Sequence, residues 1–152
     1  MKRFITIILA VLSFAMTAFG QTPVESLISS FEDYKGVKVF VAEGAIMSIA
    51  RGYIKKSPMG PLADCVESVT IMTMKKVADQ TKQEFLPALR GTLKNYQFYG
   101  KKEGMDGNIV EVYGSPIKNG VVHELIVFNS EKYSLFSMRG AYPVAELQAL
   151  DK

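Results

Sequence analysis

The last third of the chain sets the tightest constraint on what it can fold into. Four segments, "YQFYGKK", "NIVEVYG", "VVHELIVF" and "KYSLFSMR", carry the β-branched and aromatic residues of strands. Only "EGMDG", "SPIKNG" and "NSEK" separate them. Joins that short cannot hold a crossover connection, so consecutive strands run antiparallel in a four-strand meander.

Asn119-Gly120 fits a two-residue hairpin turn, because both central positions of that turn need positive φ. This register places Tyr113 opposite Ile126 and Glu111 opposite Phe128. Side chains alternate between faces along a strand. One face then carries Val110, Val112, Val121, Leu125 and Val127, joined by Phe136 and Met138 if "NSEK" is the next loop. The other carries Ile109, Glu111, Tyr113, Val122, Glu124, Ile126, Phe128, Tyr133 and Leu135. The first face reads as core. If helices cover only that face, the apolar cluster Tyr113, Ile126, Phe128, Tyr133 and Leu135 lies open, a candidate binding surface. Cover by the last helix or by sheet curvature is the alternative.

Ahead of the meander, Thr22-Pro23-Val24-Glu25 reads as an N-cap, a proline at the first helical position and a capping-box glutamate. Val24, Leu27, Ile28, Phe31 and Tyr34 follow at helical spacing, and Gly36 ends the helix. "VKVFVA" (37–42) reads as a strand covered on both faces, and "ESVTIMTM" (67–74) as a second strand. Between them, Ala45, Ile46, Ile49, Ala50, Tyr53 and Ile54 fill a wide helical arc against a narrow stripe of Ser48, Arg51 and Lys55. That predicts a mostly buried helix. Gly44 alone, after Glu43, does not make a phosphate-binding turn. "SPMGPLAD" reads as a loop. A long helix spans about 77–95, with Val77, Phe85, Leu89 and Leu93 on one face and Pro87 on the polar side, where a kink or restart is expected. "YPVAELQAL" closes with a short helix. The sum is an α+β fold: a mainly antiparallel sheet with amphipathic helices packed on one face.

The N-terminus reads as an export signal. Lys2 and Arg3 precede an apolar run over 4–14, and Ala18 and Gly20 supply the small residues of a cleavage site after Gly20. The run falls short of the roughly 20 residues of a membrane span. Residues 1–20 are thus expected to be removed, leaving 21–152 as one domain with no transmembrane segment, periplasmic or secreted. No cysteine stands at the cleavage point to take a lipid anchor.

Eighteen Lys and Arg face fifteen Asp and Glu. Losing Lys2 and Arg3 leaves sixteen against fifteen, a net charge near +1 that makes no electrostatic claim on nucleic acid. Cys65 is the only cysteine, which excludes an internal disulfide and a thiol-rich zinc site and reads as a core residue. His123 is the only histidine and falls near the hairpin turn, at the rim of the core-side face. Glu111 and Glu124 share a face but stand ~13 Å apart in this register, too far for a carboxylate pair. No metal, cofactor or catalytic residue is expected.

The order "LISSFEDYKGVKVFVAEGAIMSIA", "ESVTIMTM", long helix, meander and "SLFSMRGAYPVAELQAL" resembles the secreted bacterial domain-of-unknown-function family numbered 4252, or a neighbouring uncharacterised family. Val41-Ala42-Glu43-Gly44 departs from the hydroxyl-plus-lysine character of that family's strand end. The resemblance implies a small exported α+β protein of Gram-negative bacteria and carries no catalytic residue.

The expectation is a non-enzymatic binding or interaction module of the cell envelope, partnered by its own copy, an envelope protein or a small apolar ligand. Two alternatives stay open: an enzyme with a dispersed polar site that uses His123, and peripheral membrane association through the Arg51/Lys55 helix edge.

Overall fold

The structure is a computed structural model in which residues 21–57, 59–104 and 107–149 are described. The leader expected over 1–20 lies outside them.

Helix α1 (Pro23–Phe31) opens as its sequence predicts. Thr22 Oγ1 accepts from the Glu25 amide at 3.2 Å, and Glu25 Oε1 accepts from the Thr22 amide at 3.0 Å, a complete capping box. Strand β1 (Lys38–Ala42) and helix α2 (Met47–Lys55) follow, then β2 (Val66–Thr73) and helix α3 (Asp79–Thr92). The helix α3 runs on through Pro87 without a restart. The carbonyl that loses its N–H donor there is that of Gln83, an exposed residue with access to water. Strands β3 (Gln97–Glu103), β4 (Ile109–Gly114), β5 (Val121–Asn129) and β6 (Ser134–Pro143) make the meander, and α4 (Val144–Ala149) closes the chain.

Among the described residues the six strands form one antiparallel sheet in the order β1-β2-β6-β5-β4-β3. Glu111 pairs with Phe128 and Tyr113 with Ile126, the register read from the turn. Asn119 and Gly120 both have positive φ, 55° and 76°, and Lys118 and Val121 exchange two backbone hydrogen bonds across them. The next loop is 130–133, one residue later than expected, since Asn129 pairs with Ser134. That moves the register by two, so every side chain keeps its face.

Helices cover both faces of the sheet, not one. On the first, Met47 of α2, Leu62 from the segment before β2, and Leu147 of α4 pack with Val69, Val112, Leu125, Met138 and Tyr142. On the second, Leu27, Ile28 and Phe31 of α1 and Phe85 and Leu89 of α3 pack with Met72, Ile126, Phe128 and Leu135. Two amphipathic helices were available for the second face because α1 and α3 are not adjacent in sequence and return to the same side.

Three local expectations also change. β1 is an edge strand, so Phe40 and Val41 are exposed rather than covered. Helix α2 buries Met47 only; Ala50 and Ile54 are half-buried, and Ile46, Ile49 and Tyr53 face solvent. A short helix cannot turn so wide an apolar arc entirely onto a sheet. The register shifts between Val122 and Glu124, which puts Val122 into the first-face core and leaves His123 exposed.

Candidate functional site

The apolar cluster expected to lie open is roofed by α1 and α3. Ile126, Phe128 and Leu135 are buried, and Tyr113 and Tyr133 half-buried. Phe85 meets Phe128 and Tyr133 with ring centroids 6.4 Å apart in each case, and Phe31 sets its edge on Phe85 at 5.2 Å. At the margin, Arg90 of α3 donates to Glu111 through Nη1 at 2.7 Å and Nη2 at 3.1 Å, and to the Tyr113 hydroxyl at 2.7 Å. Tyr113 in turn donates to Glu111. Lys82 stands over the Tyr133 ring at 5.1 Å. These five residues hold α3 to the sheet.

The same two helices leave a groove between them, with a volume of about 1370 Å³. Leu27, Phe31 and Tyr34 line one wall; Pro87, Ala88, Gly91 and Thr92 line the other. Small side chains keep it open: Ser26 and Ser30 lie one turn apart on α1, and a Cβ added to Gly91 would meet nothing within 4 Å. At one end Tyr34 donates to Glu84 across the gap at 3.4 Å. Near the other end stand Lys118, His123 and Arg139.

Glu124 lies at the floor and is only 1% exposed. Three hydroxyls from three separate elements converge on its carboxylate: Thr22 at 2.5 Å, Tyr96 at 2.5 Å and Ser137 at 2.6 Å. Burial nonetheless raises its pKa above the usual glutamate range, outweighing the hydroxyl bonds that favour the charge. Burial and the neighbouring Glu124 carboxylate likewise raise the Tyr96 phenol. Sequence reasoning weighed Glu124 only as half of a carboxylate pair and missed this cluster. The available signal was a charged residue amid the apolar run "VVHELIVF", with Ser115 across the hairpin and Ser137 on the neighbouring strand.

Glu111 and Glu124 do not meet: one belongs to Arg90, the other to the hydroxyl cluster. His123 lines the groove beside Glu124 and Ser115, and its backbone N–H donates to Ser115 Oγ at 3.3 Å. Cys65 is half-buried, with its thiol 4.0 Å from Glu146; burial, then Glu146 and Asp64, raise its pKa, so the thiolate needed for nucleophilic chemistry is disfavoured. Arg51, expected as part of a solvated stripe, donates twice to the Val66 carbonyl, at 2.8 and 3.1 Å. Among the described residues no helix is long and apolar enough to cross a membrane, and no three His, Cys, Asp or Glu side chains are grouped to hold a metal.

Comparison with known protein families, with curated proteins and with solved structures finds no match to this chain.

Proposed function

We propose that the protein is an exported, non-enzymatic binding module of the cell envelope, and that the α1–α3 groove is its ligand seat. The observation that carries this reading is the groove itself: mostly apolar, with Lys118, His123 and Arg139 near one end, Arg139 standing 3.6 Å from Glu25. Its volume exceeds the ~300–1,000 Å³ of a compact small-molecule pocket, which leaves room for a long-chain ligand. The ligand class we propose is a long-chain fatty acid or an amphiphile like it. Its chain would lie along Leu27, Phe31, Pro87 and Ala88, and its carboxylate would reach Lys118, His123 and Arg139. Membership of the resembled secreted family belongs to the same proposal.

The test is a titration with a dansyl-labelled fatty acid. Saturable fluorescence enhancement is expected, with at least tenfold weaker binding in Gly91→Trp, whose side chain enters open space, and a smaller loss in Lys118→Glu. Absence of saturable binding, or equal binding by Gly91→Trp, would contradict the reading.

A further inference from the structure

Five of the eight large apolar side chains exposed among the described residues fall within 40–53, which marks one region rather than scatter. Ile46, at the N-cap of α2, and Ile49 and Tyr53 within it recur at helical spacing and are 50%, 65% and 67% exposed. They form a second apolar stripe, on the side of the helix away from Met47. Phe40, 56% exposed, stands on the sheet face that α2 covers, since it pairs with Ile71 of the same core and lies two residues from the buried Ala42. This is the face opposite the groove.

A second observation gives the face its charge. A depression of about 360 Å³ at the end of β1 and β2 is lined by Lys38, Lys75, Lys76 and Lys132, with Thr73 and Ser134 between them and no acidic residue in its wall. The register places Lys38, Thr73 and Ser134 in one row across three strands, next to the row Phe40, Ile71 and Phe136. The lysine cluster therefore stands on the same sheet face as Phe40, toward the end of β2 away from the Val66 carbonyl that Arg51 of α2 binds. Lys55 and Lys56 add charge at the end of α2 itself, Lys55 being 3.8 Å from Asp64.

We propose that this face docks on an anionic lipid bilayer. The α2 stripe and Phe40 would enter the boundary between headgroups and acyl chains, and the lysines would meet lipid phosphates. Contact with a second copy fits less well, because a two-fold interface brings each lysine cluster toward its own image or leaves it unmatched. The edge strand β1 also carries Lys38, a charge that discourages strand-to-strand pairing.

The experiment is co-sedimentation of the protein with vesicles of phosphatidylglycerol and phosphatidylcholine, against phosphatidylcholine alone, after mass spectrometry has fixed the N-terminus. Binding is expected to the anionic vesicles and to weaken as salt rises. Ile49→Glu with Tyr53→Glu, and separately Lys75→Glu with Lys76→Glu, are each expected to reduce it at least tenfold with the melting temperature unchanged. Any contribution of residues 1–20 is common to all variants, so only these differences bear on the face. Binding that is absent, or as strong in both variants as in the wild type, overturns the proposal. Loss in the lysine variant alone, with free pyrophosphate as competitor, would assign a soluble anion site instead. A stable dimer by light scattering that Ile49→Glu dissolves, without vesicle binding, would assign the face to a second copy.

Discussion

A buried carboxylate is costly unless its lone pairs are occupied, and Glu124 meets that condition with hydroxyls rather than a cation. Each of the three donors would lose its acceptor together if the carboxyl were removed. Glu124→Ala should therefore lower the unfolding free energy by about 3 kcal/mol, measured by urea denaturation. Glu124→Gln keeps a hydrogen-bonding group there and should cost much less. The raised pKa fixes a pH signature. The folded state holds the Glu124 proton more tightly than the unfolded chain, so wild-type stability falls as pH rises from the ordinary glutamate range through the folded pKa. That segment of the slope should vanish in Glu124→Gln. Glu111 acts in the opposite sense: hydrogen bonds from Arg90 lower its pKa, and its contribution is lost as pH falls through that lowered value. Gly140 tests packing at the same scale. A Cβ there would stand 2.0 Å from the Cys65 carbonyl oxygen, so Gly140→Ala should destabilise by about 3 kcal/mol, the upper end for overpacking, as its melting curve would report.

The secondary-structure elements show which parts of the fold are legible in the sequence. The Thr22 cap, the Asn119-Gly120 turn and the alternation along β4 and along β5 from Glu124 are local codes, and each appears where its residues stand. What was not legible is which helix returns to which face. Periodicity states that α1 and α3 have apolar sides; it does not state the side of the sheet they choose. The same limit hid the groove, whose walls come from helices far apart in sequence. It also hid the exposed stripe of α2, because an arc of apolar residues looks alike whether it is covered or not. The aromatic cluster on the second face gives a direct check. Phe128→Ala should cost about 3–5 kcal/mol, as for a large ring removed from a packed core, with no change in solution mass. A change in association at unaltered stability would instead return Phe128 to a surface.

At the scale of the whole molecule, the sheet separates two different surfaces. The α1–α3 side offers an apolar groove near a basic rim, and the α2 side an apolar stripe with a lysine cluster farther along the same sheet face. A protein that holds an amphiphile on one side and rests on a lipid surface with the other would fit export to the cell envelope. The groove is the central claim, and its ligand must leave a footprint confined to one side of the sheet. Nuclear magnetic resonance of the amide-labelled protein, titrated with a long-chain fatty acid below its micelle concentration, reads that footprint residue by residue. Saturable shifts in α1, α3 and the Ser115–His123 segment, with α2 and β1 unmoved, are the predicted result. Shifts centred on α2, or none that saturate, would contradict the account.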